Sequence, residues 1–433
     1  MKIAIIGSGI SGMVAAYLLN RHHQITVFEA NDYIGGHTHT VPVETREGAF
    51  DIDTGFIVYN EATYPNFIEL LDLLEVETQQ TSMSFSLSDE NSGLEYSGTS
   101  LNSLFSQRKN FFKLSFYRML KDILRFNREA PKLLEQNRCL LTLGEFLEEN
   151  RYSREFREHY VIPMGAAIWS SSRQQIYEFP AQYFIQFFIN HGLLNVHNNL
   201  LWRVIKGGSH QYIKKLTASY SDAIRLNTAI AEIKRYPDHV KVTPQNGESE
   251  IFDYVVIAAH SDQALRMLQD PTDAEIDILR QMPYQNNEVV LHTDSALMPR
   301  RSNAWSSWNY HLLKQEKQAV AVSYNMNILQ NIKSDENFIV TLNYSEKIDH
   351  SKVIRRFNYS HPLFTVPGVA AQKRHHEISG VNRTYYCGAY WRYGFHEDGV
   401  MSALNVCEDF NETLKLSGND HAKLHIRRDS QAS

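Results

Sequence analysis

The chain has 433 residues, of which 43% are hydrophobic and 21% charged, a composition typical of a globular protein with about two domains. Its formal net charge of −6 argues against nucleic-acid binding. The three cysteines show no paired spacing, so we expect neither a metal site nor a disulfide framework. This cysteine usage fits a reducing compartment, and we expect the protein in the cytoplasm.

The first thirty residues alternate between strand and helix patterns. The sequence predicts a strand over residues 2–6, a glycine turn over 7–12, a helix over 13–19 and a second strand over 25–29. Strand, turn, helix and strand within about 30 residues form a βαβ unit with parallel strands. We therefore predict an α/β protein with a Rossmann-like nucleotide-binding domain.

The turn GSGISG fits the pattern G-x-G-x-x-G. Gly7 permits the tight turn, Gly9 lets the backbone approach a pyrophosphate, and Gly12 lets the helix pack closely on the strand. The helix N-terminus would bind the phosphates, with the Ser11 hydroxyl as a further donor. Glu29 lies at the distance expected of the acid that accepts hydrogen bonds from the ribose. The alternative is a glycine-rich turn followed by an ordinary surface acid.

A second glycine pair follows in FEANDYIGGHTHTV, where a domain that binds only NAD needs none. Gly35 and Gly36 allow a loop to pass tightly against a bound dinucleotide. His37 and Thr38 would then point at its phosphates or its flavin side. We therefore predict that the cofactor is FAD, held along its length by this loop.

Nucleotide-binding elements recur in three separated segments. The sequence predicts a β-hairpin over residues 229–242, a strand over 255–258 and a helix from residue 262, and the segment 384–410 is predicted as strand, loop and helix. We assign residues 1–90, 200–268 and 373–416 to the FAD-binding domain. Residues 91–199 and 269–372 are predicted to form a discontinuous α+β substrate or cap domain, and 417–433 a disordered tail.

The glycine turn, the acid and the glycine pair together resemble the flavin amine oxidase superfamily, which includes monoamine oxidases, protoporphyrinogen oxidases and phytoene desaturases. An arginine usually follows the glycine pair in that superfamily, whereas this chain has His37. A narrower resemblance joins GSGISG, GGHTHTV, DIDTGFIVYNEATYPNF, IPMGAAIWSS and YGFHEDGVMSA to the FAD-binding N-terminal region of plant cyclopropane-fatty-acid synthases and to stand-alone bacterial proteins of that type. The resemblance implies a GR2-type Rossmann fold, an FAD cofactor and a connection with acyl-lipid chemistry.

The resemblance also implies where FAD would be held. The segment at Gly55 should run along the isoalloxazine ring, Ile230 should contact the adenine, and a helix beginning near Asp398 should direct its N–H groups at the cofactor. A plain strand, a hairpin core and simple helix capping are the alternatives at these three places. The cofactor-binding residues implied in this way are Gly7, Gly9, Ile10, Ser11, Gly12, Glu29, Ala30, Gly36, His37, Thr38, Gly55, Phe56, Ile57, Ile230, Gly388, Glu397, Asp398 and Val400.

The catalytic residues are less clear from the sequence. Many amine oxidases carry a lysine that holds a water near flavin N5, and a loose match of the strand NNEVVLHTD puts His292 at that place. Trp391 and Tyr393 are candidates for an aromatic pair facing the flavin. Ordinary strand and core roles are the alternatives for all three residues.

The function implied is an FAD-dependent oxidoreductase that dehydrogenates or otherwise modifies a lipid acyl chain, methylated or cyclopropanated, by hydride transfer to flavin N5. Two alternatives stay open: an amine oxidase that releases hydrogen peroxide, and a non-catalytic FAD-binding partner of a cyclopropane-fatty-acid synthase. The basic, amphipathic segment 105–134 is consistent with peripheral contact with a membrane, or with the solvent face of the second domain.

Overall fold

A computed structural model describes residues 1–136, 138, 140–195, 200–315 and 317–414. At its centre lies a parallel sheet of five strands, as the sequence predicts for a Rossmann-like fold. The predicted βαβ unit is confirmed, because the two flanking strands pair in parallel and a helix connects them. The predicted tail 417–433 lies outside the described residues. In spatial order the five strands are Ile224–Arg225, Gln24–Phe28, Lys2–Ile6, Tyr254–Ile257 and Thr384–Tyr386.

The helix Ile10–Leu19 is apolar around nearly its whole circumference, which is the pattern of a buried helix. It packs between the parallel sheet and the C-terminal helix His396–Glu408. The chain therefore places the glycine turn, the first helix and the last helix in one layer. This arrangement brings residues about 390 positions apart in the sequence into contact, as in the hydrogen bond from Ser11 Oγ to the carbonyl oxygen of Gly399 at 2.9 Å.

A small antiparallel sheet follows the parallel one and confirms the predicted hairpin. Its three strands are Ile230–Arg235, Val240–Pro244 and Glu250–Phe252, with the turn at Pro237 and Asp238. The buried ion pair between Arg235 and Glu275 fastens this sheet to the helix Asp273–Arg280, with Nη1 of the arginine 2.8 Å from the carboxylate.

A second, seven-stranded sheet belongs mostly to the segment between residues 284 and 362. Its strands pair antiparallel except at Phe85–Asp89, which runs parallel to Trp308–Leu312. Phe85–Asp89 lies within the segment 1–90 that the sequence assigns to the FAD-binding domain, and the division into domains stays a prediction. In spatial order the strands are Val353–Pro362, Tyr284–His292, Ile339–Leu342, Val322–Asn325, Trp308–Leu312, Phe85–Asp89 and Glu95–Ser97.

The remaining strands form two small sheets, and helices cover the seven-stranded sheet with an aromatic-rich core. The small sheets are Thr40–Thr45 with Gly48–Asp53, and Tyr59–Asn60 with Trp202–Ile205 and Thr78–Thr81. The other α-helices are Pro65–Leu73, Leu101–Leu104, Leu114–Glu129, Leu143–Glu149, Arg154–Phe156, Ile162–Trp169, Arg173–Tyr177, Ala181–Asn190, His210–Thr217, Ser261–Met267, Met326–Leu329 and Val366–Gln372.

Candidate cofactor and substrate site

The glycine turn has the geometry of a dinucleotide-binding turn. Gly7 adopts a φ of 102°, and a Cβ there would lie 2.8 Å from the carbonyl oxygen of Ala258. A Cβ on Gly12 would lie 2.0 Å from the carbonyl oxygen of Gly7, so only glycine lets the helix sit this close to the strand. At Gly9, in contrast, no described residue other than its own chain neighbours comes within 4 Å of the place of a Cβ. The approach to the helix N-terminus is therefore clear at Gly9.

The second glycine pair returns to this turn. The backbone N–H of Gly35 donates to the carbonyl oxygen of Ser8 at 3.1 Å. Gly36 adopts a φ of 57°, and a Cβ on it would lie 3.2 Å from Gly9 Cα. The loop that begins at Gly35 thus covers the open side of the first turn, where a bound dinucleotide would lie between close backbone segments.

The acid at the end of the second strand faces the same turn. One carboxylate oxygen of Glu29 accepts hydrogen bonds from the backbone N–H of Ser8 at 2.9 Å and from its hydroxyl at 2.6 Å. The other oxygen accepts from the backbone and side-chain nitrogens of Asn31, both at 2.9 Å. These bonds hold the Glu29 carboxylate at the cavity wall, where the sequence predicts an acceptor for ribose hydroxyls.

A buried polar network fixes the far side of the second glycine loop. The Thr38 hydroxyl lies 2.6 Å from the Tyr212 hydroxyl and 2.9 Å from Nε2 of His396. The His396 ring stacks on Phe56 with 3.5 Å between ring centroids, and burial lowers its pKa well below the usual value. The network joins the loop, the segment after Gly55 and the C-terminal helix into one wall.

A cavity of 810 Å³ runs along these elements, which is a volume typical of a small-molecule site. The glycine turn and the second glycine loop line one part of it. A second part is lined by Glu29, Ala30, Thr228 and Ile230. A third part, which we call the aromatic chamber, is lined by Ile168, Trp169, Trp308, Tyr324, Leu342, Phe364 and Tyr393.

The aromatic chamber is held together by its own contacts. Trp169 Nε1 donates to the carbonyl oxygen of Tyr393 at 3.3 Å. The rings of Trp308 and Tyr324 meet edge to face, 5.2 Å between centroids. Burial raises the pKa of Tyr393 to about 12 and that of Tyr324 further, so both phenols are neutral near neutral pH. The seven residues that define the chamber include no charged side chain.

Most of the residues that the sequence singles out come together around this cavity. Those that line it are Gly7, Gly9, Ile10, Ser11, Glu29, Ala30, Gly36, His37, Gly55, Phe56, Ile57, Ile230, Gly388 and Tyr393.

The acids of the C-terminal helix lie away from the cavity lining and contact the protein's own backbone. Glu397 accepts from the backbone N–H groups of Asn66 at 3.1 Å and Phe67 at 2.9 Å, which caps the helix Pro65–Leu73. Asp398 accepts from the backbone N–H of Phe395 at 2.9 Å and caps its own helix. Both carboxylates therefore act as helix caps here, the alternative that the sequence left open.

The other three cofactor candidates outside the lining have packing or hydrogen-bonding roles. Gly12 permits the close approach of helix and strand described above. Thr38 is buried within its polar network, and Val400 is a fully buried residue of the C-terminal helix that packs in the core.

Two of the three candidate catalytic residues lie outside the cavity lining. His292 is fully buried within the seven-stranded sheet, where its Nε2 lies 2.8 Å from the Thr341 hydroxyl. Burial lowers the pKa of His292 to about 4. Trp391 packs edge-on against His375, 4.4 Å between ring centroids. Of the proposed aromatic pair, Tyr393 alone lines the cavity, and its ring is tilted against that of Tyr183 with 4.3 Å between centroids.

The sequence of the chain matches the family model described as flavin containing amine oxidoreductase over residues 10–330. The chain belongs to this family. Its cofactor is accordingly FAD, and the family is one of flavin-containing oxidoreductases. The described residues fit that cofactor, because Gly9 leaves the helix N-terminus open to a diphosphate and Glu29 offers acceptors to the adenosine ribose.

Two curated relatives are similar to this chain, one over a short stretch and the other over a longer stretch at lower identity. The probable flavin-containing monooxygenase 1 of Arabidopsis thaliana is 38% identical over 81 residues, covering 17% of this chain and 15% of the relative. Amine oxidase [flavin-containing] A of Bos taurus is 22% identical over 299 residues, covering 66% of this chain and 53% of the relative. The chain thus spans less than two thirds of the length of these curated relatives.

Solved structures share the whole fold. A CLA-producing fatty acid isomerase from P. acnes superposes with a TM-score of 0.69 at 15% identity, covering 94% of this chain and 98% of that one. The similarity establishes the amine-oxidase type of FAD-binding fold. The narrower resemblance to cyclopropane-fatty-acid synthases stays a prediction.

Several residues that line the cavity were not predicted from the sequence. Two of them nevertheless lie within or next to segments that the sequence singles out. Trp169 lies within the motif IPMGAAIWSS, and His260 lies two residues after the predicted strand at residues 255–258. His361 belongs to the long edge strand and gave no signal, because only the folded sheet brings it beside His37, 5.2 Å between ring centroids.

Proposed function

We propose that this FAD-dependent oxidoreductase acts on a lipid acyl chain, by dehydrogenation or a related modification. The observation that carries the proposal is the aromatic chamber, an uncharged, largely apolar space continuous with the FAD-binding part of the cavity. An acyl chain gains free energy by leaving water for such a surface, at about 0.8 kcal/mol per buried methylene.

The charge pattern of the cavity favours an apolar substrate over an amine. Among the described lining residues, Glu29 is the one carboxylate, and it belongs to the part expected to hold adenosine. An ammonium ion in the chamber would meet the faces of Trp169 and Tyr393 but no counter-ion. A neutral amine could still enter, so amine oxidation is the second candidate, supported by the family and by the name of the bovine relative.

Structural similarity gives separate, weaker support. The P. acnes protein that shares the fold is described as a fatty acid isomerase, so at least one protein of this fold acts on a fatty acid. The resemblance to cyclopropane-fatty-acid synthases points to the same class of substrate.

The chemistry of a dehydrogenation divides between the cofactor and the chain. Loss of a hydride and a proton from neighbouring carbons leaves a double bond. FAD, when bound, supplies the acceptor for the two electrons of the hydride, and dioxygen or another oxidant then takes up these electrons. The chain's own residues bind the acyl group and exclude water. The neutral phenols of Tyr324 and Tyr393 add polarity without charge.

We also propose that the protein contacts anionic membranes through a surface formed by residues 101–121, which we call the basic aromatic surface. Its apolar side chains are unusually open to solvent, with Phe112 90% exposed and Leu114 82% exposed. The same segment contains no acidic residue and five basic ones, Arg108, Lys109, Lys113, Arg118 and Lys121. Exposed apolar groups flanked by bases are typical of proteins that dock on anionic bilayers.

Two contacts support this surface. Phe111 stacks on Phe105 with 4.0 Å between ring centroids, which holds the exposed turn in place. The helix Leu114–Glu129 then packs through Phe116 and Phe126 into the core that also contains Trp169 of the chamber. No helix among the described residues is long and apolar enough to cross a bilayer.

The substrate proposal is tested by anaerobic mixing of the FAD-loaded protein with candidate substrates. Methylated, cyclopropanated and unsaturated phospholipids are compared with a panel of amines, and the visible flavin absorbance is followed. Bleaching by one class of lipid supports the proposal. Bleaching by amines with peroxide release would favour the amine oxidase, and no bleaching by either would favour a non-catalytic partner of a cyclopropane-fatty-acid synthase, which co-purification would then test.

The membrane proposal is tested by sedimentation with vesicles. Anionic phosphatidylglycerol vesicles should bind the wild-type protein and neutral phosphatidylcholine vesicles should bind it much less. Phe112→Ser and Leu114→Ser should each weaken binding to anionic vesicles. Ile251→Ser is the control, because it removes an apolar side chain, 58% exposed, outside the basic aromatic surface and should leave binding unchanged. Wild-type protein that ignores anionic vesicles contradicts the proposal, as do variants that bind like wild type.

A further inference from the structure

Three histidines from three distant segments meet beside the glycine turn. The rings of His37 and His361 lie 5.2 Å apart, and those of His37 and His260 lie 6.4 Å apart, measured between centroids. All three line the cavity. We call them the histidine cluster.

The cluster is placed where the FAD diphosphate is expected. His37 follows Gly36, which packs on Gly9 of the turn. His260 lies two residues after Ala258, whose carbonyl oxygen and Cβ pack against Gly7 and Gly12. Both residues are therefore anchored to the backbone that approaches the diphosphate.

Permanent positive charge is scarce at this place. Among the described residues that line the cavity, Arg266 is the one arginine, and no lysine joins it. Arg266 is mostly exposed, and its Nη1 lies 2.6 Å from the Asp262 carboxylate. The usual family arginine after the glycine pair is His37 here. A diphosphate with two negative charges would thus meet backbone N–H groups and imidazoles, but no unpaired guanidinium.

At His37, protonation of the ring would supply an additional hydrogen-bond donor. The backbone of Ser360 hydrogen-bonds His37, while His37 Nε2 is buried without a partner among the described residues. His361 Nδ1 lies 2.9 Å from Asn287 Nδ2, which donates to it and so leaves the proton of a neutral ring on Nε2. His37 can donate from its second nitrogen only when the ring carries a positive charge.

Without a bound anion the cluster is held neutral. Burial lowers the pKa of all three rings, to about 4 for His260 and about 3 for His361, and His37 lowers the pKa of the other two rings further. The groups that face the cluster do little to raise these pKa values. Tyr359 is a neutral phenol, and His396 on the C-terminal helix is itself kept neutral by burial. Beside His260, Asp262 raises the pKa of the ring and Arg266 lowers it.

We propose that His37, His260 and His361 form a diphosphate-binding cluster that takes up at least one proton when FAD binds, in place of a permanently charged arginine. An imidazolium beside the diphosphate gains an ion pair and a charge-assisted hydrogen bond, which offset the cost of charging a buried ring. FAD affinity is then linked to pH, rising by up to about tenfold per pH unit for each proton as the pH falls.

Proton uptake is measured directly on the full chain freed of its flavin. Calorimetric titration with FAD in two buffers of different ionisation enthalpy should give uptake of about one proton near neutral pH. ADP-ribose, which carries the diphosphate but no flavin, should give the same uptake, and riboflavin, which lacks the diphosphate, should give none. Zero uptake with FAD and ADP-ribose overturns the proposal, and so does equal uptake with riboflavin.

Variants separate the cluster from the rest of the loop. His37→Asn should lower the proton uptake and flatten the pH dependence of FAD affinity, measured by flavin fluorescence. His37→Arg should also abolish the uptake but keep tight binding at high pH, which shows that the site still folds. His39→Asn is the matched control: His39 lies two residues after His37 and stacks on Tyr33, so its loss should leave the pH dependence unchanged. Full uptake in both His37→Asn and His361→Asn would refute the cluster.

Discussion

The substitutions Gly9→Ala and Gly12→Ala add the same methyl group to the same turn, but the structure predicts opposite effects. At Gly9 the backbone has φ −67° and ψ 177°, which alanine adopts freely, and no described residue other than its chain neighbours comes within 4 Å of the new methyl. The stability of the flavin-free protein should therefore change by no more than about 0.5 kcal/mol. The methyl would instead occupy the space through which the backbone approaches the diphosphate. A steric cost of about 1–3 kcal/mol there weakens FAD binding by roughly 5-fold to 150-fold.

At Gly12 the methyl would lie 2.0 Å from the carbonyl oxygen of Gly7 and 3.2 Å from Ala258 Cβ. Both neighbours belong to the central βαβ core, so the helix must move, and the free energy of unfolding of the flavin-free protein should fall by about 1–3 kcal/mol or more. Urea unfolding measures the stability and FAD titration the affinity. Wild-type FAD affinity in Gly9→Ala would refute the proposed path of the diphosphate, and wild-type stability in Gly12→Ala would refute the close packing.

Three further predictions follow from buried charges. Arg235→Met leaves Glu275, whose side chain is 2% exposed, without its ion-pair partner, and urea unfolding should show a loss of about 3–5 kcal/mol that Glu275→Gln partly restores in the double variant. Glu397→Ala removes the cap of the helix Pro65–Leu73 and should cost about 1–2 kcal/mol of stability, while FAD affinity stays within about threefold of wild type; a large loss of affinity would restore Glu397 to the cofactor site. Burial raises the pKa of Asp53 to about 7, so its stabilising contribution is fully present below the usual carboxyl pKa and is lost as the pH rises through about 7. Unfolding measured against pH should therefore show a decline of up to about 4 kcal/mol that Asp53→Asn abolishes.

The local elements of the site could be predicted from the sequence because their signals are short-range. The strand Lys2–Ile6, the glycine turn and the helix Ile10–Leu19 follow from apolar runs and glycine spacing within about 20 residues. The return of Gly35 to the first turn also follows, since a glycine pair has few other uses so close to the second strand.

Long-range placement could not be predicted in the same way. Phe85–Asp89 pairs in parallel with Trp308–Leu312, more than 200 residues away, and no local pattern encodes that partner. The same limit applies to the histidine cluster, which depends on the edge strand Val353–Pro362 reaching the glycine loop. His292 was suggested by a loose match of one strand, but its side chain points into the sheet toward Thr341.

The central claim is that FAD and an apolar substrate share one continuous cavity. The most direct measurement combines both ligands: the purified protein is loaded with FAD, and a long-chain acyl phospholipid is added without oxygen while the flavin spectrum is recorded. We expect one FAD per chain and, on addition of the lipid, either a saturable change in the flavin absorbance or reduction of the flavin. Ile168→Trp, which fills the aromatic chamber, should abolish this response to the lipid. A colourless protein that does not bind added FAD, or a flavin spectrum indifferent to every acyl lipid, would contradict it.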